Sequence, residues 1–210
     1  MIDLSILDTI IFDLGGVVVN LDINRTINAF KKLGINNVEQ WINPGLHTDI
    51  FLKFEVGEIS EDEFFYGIRE LAGVTVTDSE IRKAWCAMLI DLPPERVKII
   101  EWLKETHNVL LLSNTNTIHV NYFDGFAKGY SSMSELFHNV YYSFLMHDHK
   151  PNASIFRSVI EREKLIPGKT LFIDDAEANI IAAQSVGIHA QLITSINQME
   201  NVFKSIMYKN

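Results

Sequence analysis

Six side chains able to act together on one substrate stand at or shortly after the ends of apolar runs. Asp13 closes "TIIFD", Ser113 and Asn114 close "NVLLLSN", and Asp174 with Asp175 closes "TLFIDD". Lys150 follows the run "NVYYSF", in "HDHKPNASIF". Taken singly, an Asp or Asn at a strand end is a turn or helix cap, and Lys150 before Pro151 is a surface lysine. Taken together, they deliver carboxylates, a hydroxyl, an amide and an ammonium to one crevice. Oxygens of Asp13 and Asp175 can bind one hard cation such as Mg²⁺. That cation and Lys150 would neutralise a phosphoryl group, with Ser113 and Asn114 donating hydrogen bonds to its oxygens. Asp13 is then placed to attack phosphorus and form an aspartyl-phosphate.

The elements that must position these groups follow from the apolar pattern. The runs at 9–14, 108–114, 139–144, 170–175 and 189–194 are mostly continuously apolar, as strands buried on both faces should be. Helical spacing lies between the later ones. "PERVKIIEWLKETHN" carries Val97, Ile100 and Leu103. "PNASIFRSVIEREKL" carries Ile155, Phe156, Val159 and Ile160. "AEANIIAAQSVGI" ends in Gly187, a helix stop. Strand alternating with helix predicts an α/β fold with a parallel sheet, and ligands of such sheets bind beyond the carboxyl ends of the strands.

Residues 20 to 90 carry no strong strand run. Ser60 with Glu63 and Thr77 with Glu80 form capping-box patterns before "EFFYGIREL" and "EIRKAWCAML". The expectation is a small helical domain at 20–90 inserted into a core made of 1–19 and 91–210, with "DLPPERV" marking the return.

Bulk properties narrow the function classes. The 210 residues, 47% of them hydrophobic, suffice for one substantial core. A net charge of −9 without a basic block argues against nucleic acid or an anionic membrane as partner. One cysteine, Cys86, excludes an intramolecular disulfide and fits a reducing, cytoplasmic setting. The first residues lack signal-peptide chemistry. No apolar run approaches the roughly 20 residues of a membrane helix.

The motifs together resemble those of the haloacid dehalogenase-like (HAD) hydrolase superfamily, in the subfamily with a helical cap after the first motif. "FDLGGVVV" resembles the first motif, "LLLSNTN" the second, "KPNASIF" the third and "FIDDAEANIIAAQSVGI" the fourth. The resemblance implies a Rossmann-like core with a cap, Asp13 as nucleophile and a Mg²⁺ cofactor. It also implies a backbone carbonyl at Gly15 as metal contact. Asp175 and Asn179 have the fourth motif's four-residue spacing, so Asp175 is expected as the direct ligand, with Asp174 acting directly or through water. The implied activity is a Mg²⁺-dependent phosphatase of a small phosphorylated metabolite, such as a sugar phosphate or nucleotide, in a monomer or homodimer.

One departure bears on mechanism. The family's second acid, two residues after the nucleophile, is Gly15 here; Gly16 matches, and Val17 replaces the usual threonine. In phosphatases of the family that acid protonates the leaving oxygen and later activates water. Another group could serve, with Asp22 nearest in sequence, although Asp22 also reads as the cap of the helix "INRTINAF". Alternatively, the substrate has a good leaving group. A phosphate-binding regulatory module with little turnover is a further alternative. So is a dehalogenase or a phosphonatase, the latter needing a cap lysine such as Lys53. His147 and His149 lack further ligands for a transition metal. Cys86 has the spacing of a core residue. Phe51, Phe54, Phe64 and Phe65 are core candidates that could also line the closure of a cap over the site.

Overall fold

The computed structural model describes residues 2–42, 49–195 and 197–207; residues 43–48 of the expected cap lie outside it. In chain order the elements are β1 (Thr9–Phe12), β2 (Asn20–Leu21), α1 (Ile23–Lys32), α2 (Val38–Ile42), α3 (Asp49–Glu55), α4 (Glu61–Ala72) and α5 (Asp78–Cys86). There follow β3 (Leu89–Asp91), α6 (Pro94–Lys104), β4 (Asn108–Ser113), α7 (Thr117–Phe123), β5 (Asn139–Tyr142) and α8 (Ser143–Met146). The chain continues with α9 (Ala153–Glu163), β6 (Thr170–Asp174), α10 (Glu177–Ser185), β7 (His189–Leu192) and α11 (Gln198–Met207).

Five strands form one parallel sheet in the order β5-β4-β1-β6-β7. Because side chains alternate along a strand, Ile10, Phe12, Leu111 and Ile173 pack on one face with Ile100 and Leu103 of α6 and Phe203 of α11. Ile11, Leu110, Leu112 and Phe172 pack on the other with Ile155, Phe156 and Val159 of α9 and Ala183 of α10. Both faces are covered, which explains why the central runs are continuously apolar. Helices on two faces of a parallel sheet make the Rossmann-like core.

Register decides what stands at the carboxyl edge. Phe12 is level with Leu111 on one side and Ile173 on the other. The next row is therefore Leu112, Asp13 and Asp174, side by side on three strands. The Asp13 amide donates to the Ile173 carbonyl at 2.8 Å, so the register persists past the last paired residue.

Between β1 and α6 the chain forms the helical cap. Its neck is an antiparallel ribbon in which β2 pairs with β3, Leu21 opposite Leu89, and Asn20 donates to the Asp91 carboxylate at 2.7 Å. Two- and three-residue strands are too short to carry an alternation, which is why the ribbon was not expected from the sequence. Both capping boxes form, at Ser60 with Glu63 and at Thr77 with Glu80. The cap has its own aromatic packing. Phe54 stacks on Phe64 at 4.4 Å, Phe51 meets Phe64 at 5.4 Å and Trp85 at 5.0 Å, and all four are buried. Burying such rings stabilises by roughly 1.5–3 kcal/mol each. Thr26 of α1 accepts from the Met88 amide at 2.9 Å and donates to the Trp85 carbonyl at 3.0 Å, tying α1 to the end of α5.

A buried ion pair anchors the loop after β1. Arg96 of α6 donates to Glu200 of α11 at 2.8 Å and to the Val18 carbonyl at 3.2 Å. Pairing and hydrogen bonding are the conditions under which a buried arginine is tolerated.

Candidate active site

The row Leu112, Asp13, Asp174 is bridged by one side chain. Lys150 is buried, and its Nζ donates to Asp13 Oδ1 at 2.5 Å, to the Leu112 carbonyl at 2.9 Å and to Asp174 Oδ2 at 2.8 Å. An ammonium has three protons, and each has an acceptor on a different strand. The same Nζ lies 5.3 Å from the centroid of the Phe172 ring. Asn114 holds the backbone that carries this lysine: its Nδ2 donates to the Lys150 carbonyl at 2.8 Å, and its Oδ1 accepts from the Lys150 amide at 2.9 Å. One amide proton of Asn114 remains for an outside acceptor. Ser113 is buried, and among the described residues its hydroxyl has only a long contact, 3.4 Å, to the Asn114 carbonyl.

Asp174 is fully buried and saturated. Its Oδ1 accepts from the Ala176 amide at 2.8 Å and from Asn179 Nδ2 at 2.9 Å, while Oδ2 faces Lys150 and also Asn179 at 3.0 Å. Asn179 thus serves Asp174. Asp175 is the more exposed acid, and no side chain donates to it among the described residues. Its carboxylate lies against Gly16. That glycine has φ +77°, and a Cβ built on it would fall 2.2 Å from Asp175 Oδ2. Glycine is needed there both for the left-handed backbone and for the space. Gly15 itself is outside the left-handed region, and a Cβ on it would meet only the side-chain end of Leu21, at 2.5 Å.

The electrostatics describe a site short of positive charge. Asp13, Asp174 and Asp175 each offer an oxygen within 4.8 Å of the others, against the single ammonium of Lys150. Burial pushes the Asp13 carboxyl up to about 7, with Lys150 opposing and Asp174 adding to the rise. Burial likewise raises Asp175, again helped by Asp174. Burial alone would lower the Lys150 ammonium, but Asp13 and Asp174 outweigh it and hold it above the ordinary lysine value. Clustered oxygen donors with excess negative charge fit a hard divalent cation such as Mg²⁺.

The remaining sequence candidates have partners outside the Asp13, Asp174 and Asp175 carboxylates. Asp22 caps α1, accepting from the Asn24 amide at 3.0 Å. Half-exposed Lys53 pairs with Asp49, one turn earlier on α3. His147 Nδ1 donates to the Val56 carbonyl and His149 Nδ1 to the Lys150 carbonyl, so both rings serve the backbone. Cys86 is buried, and burial pushes its thiol up to about 11. Of Phe51, Phe54, Phe64 and Phe65, Phe51 alone lines the cavity between cap and sheet edge. That cavity, about 220 Å³, is also lined by Gly15, Ser113, Asn114, Glu55 and His119. Glu55, on α3 of the cap, and His119, on α7 of the core, carry no sequence motif, and the packing of cap against core puts both on this cavity.

The chain is similar to several known hydrolases. The chain is similar to the D-ribitol-5-phosphate phosphatase of Bacteroides thetaiotaomicron, 31% identical over 180 residues, covering 85% of this chain and 87% of the relative. It is similar to a HAD family enzyme of the same organism solved with magnesium and inorganic phosphate. That match has a TM-score of 0.81 and 39% identity, covering 89% of this chain and 93% of the other. A predicted HAD-like family hydrolase of Porphyromonas gingivalis matches with a TM-score of 0.87 and 29% identity, covering 96% and 98% of the two chains. Residues 7–187 match the family described as "Hydrolase: haloacid dehalogenase-like hydrolase". With its Rossmann-like core, its inserted helical cap and its acids at adjacent strand ends, the chain belongs to the haloacid dehalogenase-like hydrolases.

Proposed function

We infer that the protein is a Mg²⁺-dependent phosphatase of a small phosphorylated metabolite, working through an aspartyl-phosphate on Asp13. The observation that carries this reading is the convergence of Asp13, Asp174 and Asp175 around the single ammonium of Lys150. Relatives described as a ribitol-5-phosphate phosphatase and as a magnesium–phosphate complex support the substrate class and the cation. Asp13, Asp175 and the Gly15 carbonyl would hold Mg²⁺, with Asp174 in support. Bound there, the ion would offset the charge of the carboxylates and of the phosphoryl oxygens.

Each residue has a part in the reaction. Lys150 fixes Asp13 Oδ1, and Oδ2 is the oxygen left to attack phosphorus. The new bond to Asp13 forms as the ester P–O bond breaks and the leaving oxygen takes a proton. Water then attacks the aspartyl-phosphate, releasing inorganic phosphate and restoring the Asp13 carboxylate. Ser113 and the remaining Asn114 proton would hydrogen-bond the phosphoryl oxygens. The Lys150–Asn114 clamp keeps the geometry fixed between the two steps. A phosphonatase role for Lys53 is disfavoured by its pairing with Asp49 on the cap.

The test is a screen of sugar, polyol and nucleoside phosphates with Mg²⁺ present. Phosphate release that stops on chelation and returns with Mg²⁺ is expected. Full turnover in excess chelator contradicts the reading, and phosphate binding without release across the screen favours a regulatory module.

A further inference from the structure

Asp13 has no carboxyl partner two residues on, where Gly15 stands, so the proton for a leaving oxygen must come from elsewhere. The cavity between cap and sheet edge bounds the choice. Gly15 and Ser113 line it from the core. Among its lining side chains, only Glu55 and His119 carry a group that exchanges protons near neutral pH. His119 is not available. Its Nε2 donates to the Trp85 carbonyl at 3.2 Å, its Nδ1 lies 3.4 Å from Asn116 Nδ2, and its ring stacks on Trp85. Burial also pushes it down to about 4, so it is neutral with both nitrogens engaged.

Glu55 presents the opposite case. The main chain around it is strapped to the core at three successive residues. Ser143 Oγ donates to the Glu55 carbonyl at 2.6 Å. His147 Nδ1 donates to the Val56 carbonyl at 3.0 Å. Gly57, with φ +70°, lies so close to α8 that an added Cβ would fall 2.3 Å from the Phe144 carbonyl oxygen. Ser143 Oγ also accepts from the Thr115 amide at 2.9 Å, so one hydroxyl joins Glu55 to the loop that carries Ser113 and Asn114. The Glu55 carboxyl, by contrast, has no hydrogen bond or ion pair among the described residues. A strapped backbone and an uncommitted carboxyl, on a residue lining the same cavity as Gly15, Ser113 and Asn114, suit an acid–base group better than a structural brace.

We propose that Glu55 supplies the proton transfers for which Gly15 has no side chain. The inference rests on the phosphatase reading. As the Asp13–phosphorus bond forms and the ester bond breaks, the Glu55 acid gives its proton to the leaving oxygen, and the alcohol departs. The Glu55 carboxylate then takes a proton from the water that attacks the aspartyl-phosphate. Phosphate leaves, Asp13 is again a carboxylate and Glu55 again an acid. Burial pushes the Glu55 carboxyl up to about 7, which suits both halves of that cycle near neutral pH.

The experiment compares wild type with Glu55→Gln, which is isosteric with the protonated acid, on substituted phenyl phosphates from para-nitrophenyl to unsubstituted phenyl, with Mg²⁺ present. Glu55→Ala serves as a second variant with the same readout. Acid catalysis is typically worth about 10²–10⁴-fold. A loss of that size is expected on phenyl phosphate, with a much smaller loss in the first-turnover release of para-nitrophenol. The later steady state should be slow because the base is also missing. An equal loss on every ester, or none, overturns the proposal. Asp13→Asn measured in parallel separates the two inferences. If Asp13→Asn is inactive and Glu55→Gln shows no leaving-group dependence, the Glu55 proposal alone fails. If Asp13→Asn retains the wild-type first turnover, the aspartyl-phosphate reading fails and the Glu55 proposal with it.

Discussion

Gly16 and Asp175 occupy one another's space: a single methyl group on Gly16 would sit 2.2 Å from an Asp175 carboxylate oxygen. The loop after β1 and the loop after β6 are thereby packed backbone to carboxylate. The acid that is freest to bind a cation is held by shape, with no side-chain hydrogen-bond donor among the described residues.

Gly16→Ala should therefore fail in two ways. The left-handed backbone, φ +77°, costs a non-glycine residue about 1–2 kcal/mol. The methyl also displaces Asp175. Lower stability in urea unfolding and a higher Mg²⁺ requirement for activity are expected. An unchanged Mg²⁺ titration would remove Asp175 from the metal site.

Lys150→Met should destabilise the protein in the absence of Mg²⁺. It leaves Asp13 and Asp174 buried with no cation between them, and loss of one partner of a buried pair costs about 3–5 kcal/mol. Added Mg²⁺ should return part of that stability, since it supplies positive charge to the same carboxylates. Denaturant unfolding of the variant with and without Mg²⁺ checks both statements.

Glu55 should give the fold a pH dependence of defined sign. Its carboxyl is raised by burial from about 4.5 to about 7. Below 4.5 it is protonated folded and unfolded, and wild type and Glu55→Gln should differ little. As pH rises from 4.5 to 7 the unfolded chain loses the proton that the folded chain keeps, so wild type should lose stability relative to the variant. Above 7 the difference should level off. Unfolding free energies of both proteins across this range give the curve, and a difference of constant size would show that Glu55 is not held in a desolvated site.

Ser143→Ala tests the strap that positions Glu55. Ser143 is fully buried and bonds the Thr115 amide and the Glu55 carbonyl. Leaving buried polar groups without partners costs about 1–3 kcal/mol. Turnover should fall more for poor leaving groups than for good ones, because the acid is no longer held against the core. Thermal melting and the same phenyl ester series provide the measurement.

Much of the core could be read from the sequence, because its signals are local. Continuously apolar runs mark strands covered on both faces, and chemistry at their carboxyl ends marks the edge where ligands bind. Asp13, Lys150, Asp174 and Asp175 were legible on those grounds, and the structure brings them together. Gly187, with φ +88°, and the two capping boxes were legible because helix ends have short-range chemistry. Partnerships across the fold were not. Asn179 bonds Asp174, a partner that sequence spacing does not name. Arg96 and Glu200 are 104 residues apart, and Arg96 occupies a core position that a hydropathy pattern assigns to an apolar residue. Glu55 sits in a charged stretch, "KFEVGE", where an acid ordinarily means solvent. Its half-buried position depends on the cap docking against Ser143 and His147.

The central claim is that Asp13 carries the phosphoryl group between two half-reactions. The direct measurement is rapid acid quench of the Mg²⁺-loaded enzyme during turnover of a phosphate ester, followed by mass analysis of the peptide that contains Asp13. The expected result is one phosphoryl group on that peptide, absent after chelation, absent in Asp13→Asn and accumulating in Glu55→Gln supplied with para-nitrophenyl phosphate. Undiminished turnover by Asp13→Asn, with no phosphoryl group on that peptide in wild type, would contradict it.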